Sequence, residues 1–146
     1  MPGSYQANRV TIVKAANVDR IAELEWGSGP RIAFTHITSC IGLFGHYGGA
    51  SVVGVHLPFL DAHDFPVVNV QVGALISALR VILGACSRIY LVGERVVWHS
   101  SGASAHIAGL VAFQARQRGA SRSGNYAAQA SGPPHFIRMT WQGGVI

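Results

Sequence analysis

A chain of 146 residues, 49% hydrophobic and only 12% charged, with a net charge of +5, is long enough for one domain with a sizeable core and too apolar for a disordered chain. Its ten arginines and one lysine are scattered rather than gathered with aromatics. That argues against nucleic acid and leaves an acidic protein partner as the functional reading of the charge.

The N-terminus carries no basic-then-apolar signal. Val10 to Val13 alternates with polar neighbours and predicts a strand. Asn17 or Asp19 caps a short turn through Ala22, and Gly27-Ser28-Gly29-Pro30 reads as a turn. A strand over 31–37 follows, then a bend at Thr38-Ser39. Residues 40–45 and 51–57 read as a hairpin reversing at Tyr47-Gly48-Gly49. A polar loop over 60–65 leads to Pro66. The apolar residues Val72, Leu75, Ile76, Leu79, Ile82 and Leu83 follow the helical period over 70–83, and Gly84 stands where a helix stops. The stretch 66–85 is broken by Pro66, Asn69, Gln71 and Arg80, so no membrane span is expected.

Strands are predicted over 88–92 and 95–99. Ser101 or Ser104 caps a second helix that ends at Gly119. Residues 120–134, rich in Ser, Gly and Ala, read as a long loop, and 136–141 as a final strand. The whole of 1–146 is one domain.

The hairpin carries the chemistry. A turn centred on Gly48 sets Cys40 directly opposite His56, with Cβ atoms about 4.5–5.5 Å apart. An imidazole at that range can take a thiol proton and lower the thiol pKa, which makes a nucleophile. Thr35 is placed to hydrogen-bond His56 and fix its tautomer. An ordinary strand residue is an equal reading of Thr35, and His36 is an alternative orienting group. The bend offers the Cys40 N–H, with the Thr38 or Ser39 hydroxyl, as an oxyanion site. His46 falls in the turn facing solvent, and Asp61, His63 and Asp64 in a solvated loop. Cys86 reads as packing. His36, Cys40 and His56 are legitimate zinc ligand types, but no compact spacing joins them, so no metal is expected. Two cysteines without a framework pattern read as free thiols in a reducing place of action.

The run Ile37-Thr38-Ser39-Cys40-Ile41-Gly42-Leu43-Phe44, then Gly48-Gly49-Ala50 and Val55-His56-Leu57-Pro58, resembles the CheD-type protein-glutamine deamidases. Ala74 to Leu79 with Leu83-Gly84-Ala85, and Ile89-Tyr90-Leu91-Val92-Gly93, resemble that family's following helix and strand. The likeness covers about residues 31–118. Thr38 stands where the family has Gly, and Gly93-Glu94-Arg95 where it has Gly-Gly-Ala. Thr35 lies five residues before the cysteine rather than six.

The resemblance implies an α+β fold, a β-sandwich of mixed sheets flanked by helices. It implies hydrolysis of a protein glutamine to glutamate by Cys40 and His56, with no cofactor and a protein substrate carrying a reactive glutamine. A monomer is expected. Two settings share that chemistry. One is a chemotaxis-type enzyme of the bacterial cytoplasm. The other is a bacterial effector or toxin delivered to a host or target-cell cytosol, as cytotoxic necrotizing factors are toward Rho-type GTPases. The alternative is a non-catalytic protein-binding module on the same fold.

Overall fold

The computed structural model describes residues 11–59, 72–98, 115–133 and 136–146. Its centre is the hairpin of β4 (Ile41–Gly48) and β5 (Ser51–Leu57). Side chains alternate across a strand, and here both faces are apolar. Ile41, Leu43, Val53, Val55 and Leu57 meet Leu75, Leu79 and Leu83 of the helix α1 (Val72–Leu83). Those three leucines recur every four residues and make one buried stripe. The opposite face, with Cys40, Phe44 and Val52, packs on Ile21, Ile32, Phe34, Ile37, Tyr126 and Met139.

Around the hairpin lie β1 (Val13–Lys14), β2 (Glu25–Gly29), β6 (Arg88–Gly93) and β7 (Ala115–Gln117). Together they form a six-stranded sheet in the order β1-β2-β5-β4-β6-β7. It is mixed: β1/β2 and β6/β7 are parallel, and the other pairs antiparallel. A second, antiparallel sheet runs β10-β9-β8-β3, from Gly144–Val145, Ile137–Trp141, Tyr126–Ala130 and Arg31–Ala33. The two sheets share the apolar layer that holds Cys40. The chain is thus α+β and mostly sheet. Among the described residues no helix is long and apolar enough to cross a membrane.

The hairpin register differs from the sequence-based one. Gly42, not Cys40, faces His56, and Ile41 faces Leu57. The reversal runs through Gly48 and Gly49, both at positive φ, with a register shift between His46 and Gly48. The turn therefore lies further along the chain than one centred on Gly48, and the pairings from Ile41–Leu57 to His46–Val52 slip by two residues. A two-residue slip preserves the pleat, so Cys40 and His56 stay on the same face.

Four other expectations are corrected. Residues 95–98 form a helical turn, α2 (Arg95–Trp98), instead of a strand. The buried Arg95 guanidinium fixes it, donating to Gln117 Oε1 at 2.8 Å and to the Gly119 carbonyl at 2.5 Å. Most of the expected second helix lies outside the described residues, but its last part is β7, parallel to β6. Within the expected loop 120–134, residues 126–130 form β8, whose Tyr126 and Ala128 are buried. Gly27 to Gly29 continue β2, because Val18 and Ile21 cover Gly27 and the strand pairs with β5.

Candidate functional site

His56 enters the apolar layer from β5 and is 1% exposed. Its Nδ1 lies 2.8 Å from the Ile21 carbonyl oxygen. A carbonyl only accepts, so Nδ1 carries the proton and donates it, and in the neutral ring Nε2 is left as the acceptor. That Nε2 is buried and has no hydrogen-bond partner among the described residues. The Thr35 hydroxyl stands 3.4 Å from Nδ1 and 3.5 Å from the Ile21 oxygen. The Ile21 carbonyl, by its shorter distance, is the principal group that sets the tautomer. His36 turns away and pairs with Asn125 at 3.2 Å.

Aromatic packing fixes the ring from the side. Phe34 stacks on Phe44 with centroids 4.5 Å apart, and its ring lies 5.3 Å from that of His56. The ring occupies the space that side chains at Gly42 and Gly54 would fill. Glycine at position 42, opposite His56, is what lets Phe34 come so close.

Cys40 directly precedes β4 and is 2% exposed. Its thiol donates to Glu23 Oε1 at 3.3 Å. The backbone N–H groups of Phe59 and Thr38 favour the thiolate. Glu23, Cys40 and His56 each place a donor atom within 4.8 Å of the other two. The structure thus puts Cys40 beside His56 and Thr35 against the His56 ring. Thr38, named with Ser39 for the oxyanion site, is exposed. Ser39 is half-buried beside the cysteine.

Glu23 is the residue that sequence reasoning missed. It sits in the tight turn 22–25, closed by the Glu25 N–H donating to the Ala22 carbonyl at 3.0 Å. The Glu25 carboxylate accepts the Ala22 N–H at 2.8 Å. Leu24 takes φ of 60°, a conformation that favours glycine. Its N–H donates to the His56 carbonyl at 2.8 Å, which ties the turn to β5. Strained backbone of this kind costs of order 1–3 kcal/mol and persists only where its surroundings enforce it. The one signal in the sequence was a carboxylate pair just before a strand, and nothing local said which strand that pair would meet.

Burial, together with the hydrogen bond and charge of Glu23, pushes the Cys40 thiol up to about 12. This corrects the expectation of a thiol pKa lowered by His56, because the sulfur is buried and a carboxylate, not a cation, faces it. Burial lowers the His56 pKa, against the opposing pull of the Ile21 hydrogen bond and the Glu23 and Glu25 charges. The resting pair is therefore neutral thiol and neutral imidazole. Cys86 is likewise raised, to about 11, by burial. His46 is also buried, where a solvent-facing turn residue was expected. Its Nδ1 is 3.2 Å from Ser87 Oγ and its ring 5.1 Å from that of Phe136. Asp61, His63 and Asp64 lie outside the described residues.

Comparison with protein-family models, with curated proteins and with solved structures finds no match to this chain.

Proposed function

We propose that the protein is a glutamine deamidase acting on a protein substrate, with Cys40 as nucleophile and His56 as general base. The observation that carries this reading is the buried imidazole held in one tautomer by the Ile21 carbonyl, with a ring nitrogen and the Cys40 thiol sharing a small space.

The raised thiol and lowered imidazole favour proton transfer during attack over a preformed ion pair. Cys40 Sγ forms a bond to the carboxamide carbon as its proton passes to His56 Nε2. The imidazolium returns that proton to the nitrogen, the C–N bond breaks and ammonia leaves. Water then attacks the thioester, releasing glutamate and the thiol. The Glu23 carboxylate raises the His56 pKa and so stabilises the imidazolium that forms. The Cys40 N–H, with the Thr38 or Ser39 hydroxyl, is the candidate donor set for the developing oxyanion.

The neutral thiol also favours a second reading, a binding module on the same fold. Intact mass separates the two. Receptor fragments, Rho-type GTPases and a bacterial lysate are incubated in chelator with the wild type or Cys40→Ser. Deamidation adds about 1 Da at a glutamine through the thioester route, and only with the wild type. No gain on any substrate, or an equal gain with Cys40→Ser, removes the enzyme reading.

A further inference from the structure

We infer that Glu23, Cys40 and His56 form a three-ligand Zn²⁺ site, built from one carboxylate oxygen, one thiolate sulfur and imidazole Nε2. Three protein ligands of these types leave the fourth tetrahedral position open to water. The donor set of one sulfur, one nitrogen and one oxygen suits zinc over calcium or magnesium, which take oxygen ligands.

Geometry supports it from three directions. A Glu23 carboxylate oxygen, Cys40 Sγ and a ring nitrogen of His56 lie within 4.8 Å of one another. Ideal edges of such a tetrahedron are about 3.3–3.6 Å at ordinary Zn–S, Zn–N and Zn–O lengths. The Cys40 Sγ to Glu23 Oε1 distance of 3.3 Å is within about 0.3 Å of the sulfur–oxygen edge. The exposed Glu23 side chain has room to follow the ion.

The histidine is prepared as well. A metal-bound histidine almost always donates its other ring N–H to a carboxylate, a carbonyl or water, which fixes the ring and its tautomer. Nδ1 of His56 does this toward the Ile21 oxygen at 2.8 Å. Its Nε2 is buried without a partner among the described residues, although a buried polar atom in a folded protein normally has one. A cation at this point satisfies it. Spacing along the chain hid the site, because Glu23 reaches it only through the strained turn at Leu24.

Binding is balanced by loss of the thiol proton. Zn²⁺ and the neutral Cys40 thiol give a Zn–S bond and one proton released to buffer. The occupied site has no free sulfur, so Zn²⁺ inhibits the deamidation proposed above. That last statement rests on the deamidase reading, and the binding itself does not.

The test uses the full chain without substrate. Zn²⁺ is titrated calorimetrically in two buffers of different ionisation enthalpy, and Co²⁺ is titrated in parallel by absorption. The expected result is one ion per chain, a proton released, and a near-ultraviolet sulfur-to-cobalt band that Cys40→Ser abolishes. Glu23→Gln and His56→Gln should each weaken Zn²⁺ at least tenfold. Glu23→Gln changes an exposed side chain, and a wild-type melting curve checks that it folds. Absence of the cobalt band, or an affinity unchanged in both Glu23→Gln and His56→Gln, overturns the site. Deamidation is assayed separately in chelator, so loss of either proposal leaves the other standing.

Discussion

Gly42→Ala tests how Phe34 positions His56. A Cβ at Gly42 would lie 2.7 and 2.9 Å from Cδ2 and Cζ of Phe34, with Cε2 closer still. Carbon atoms rest about 3.5–4.0 Å apart, so the ring must retreat by about 1 Å or more. It has little room. Phe44 is stacked on it at 4.5 Å, and the space a side chain at Gly54 would take is filled by Phe34 and Ile32. Overpacking of this kind costs about 1–3 kcal/mol. For a domain of this length that lowers the melting temperature by about 3–5 °C per kcal/mol. The sign is itself diagnostic. Gly42 is not at positive φ, so without the clash alanine would stabilise the protein by about 0.4–1 kcal/mol through the unfolded chain. Urea and thermal unfolding of Gly42→Ala, Phe34→Leu and the double variant complete a cycle. In the Phe34→Leu background alanine should cost at least about 1 kcal/mol less than in wild type. A Gly42→Ala protein as stable as wild type, or a cycle additive within about 0.5 kcal/mol, would refute the packing argument.

Glu23→Gln removes the charge that helps raise the Cys40 thiol from its ordinary value to about 12. In chelator, its alkylation profile should move to lower pH than that of wild type, read by mass spectrometry; an unmoved or rising profile counts against the Glu23–Cys40 contact. His56→Ala should lower the proposed deamidation by about 10²–10⁴-fold, the range of a general base. Thr35→Val, which removes a 3.4 Å contact, should cost less than about tenfold in the same assay, since the Ile21 carbonyl still sets the tautomer. A Thr35→Val loss as large as that of His56→Ala would make Thr35 the principal orienting group. Alkali should destabilise the fold. Burial raises the Tyr126 pKa above its ordinary 10.0, so the folded state favours the neutral phenol. That stability is fully present below pH 10 and is lost as pH rises through the folded value. Cys86 acts in the same direction between 9.0 and about 11. Urea midpoints from pH 8 to 11 should fall, and less steeply in Tyr126→Phe.

The sequence disclosed most where information is local. The helical stripe Leu75, Leu79, Leu83 and the strand over 88–92 are periodic, and α1 and β6 lie there. It disclosed less where long-range contacts decide. Residues 95–98 are apolar enough for a strand, yet the Arg95 contacts with Gln117 and Gly119 hold them as a helical turn. Small residues over 126–130 look like loop, and pairing with β3 and β9 makes them strand. Glu23 was invisible for the same reason, since two strand pairings and one strained residue carry it to Cys40.

The Cys40–His56 pairing shows why a wrong register still led to the right neighbourhood. Side chains repeat every two residues along a strand, so an odd slip would have sent Cys40 to the α1 face and His56 to the sheet–sheet layer. The actual slip is even. It turns a direct pair into a diagonal one, about 7–8 Å between positions in place of about 4.5–5.5 Å. That leaves a gap beside the imidazole, and Phe34 fills part of it by packing over Gly42. Glu23 reaches the Cys40 thiol near the same imidazole. A direct pair would have put a side chain opposite His56 and left no room for that ring. Glycine at position 42, where the direct register had no use for it, is the residue in the sequence that distinguishes the two arrangements.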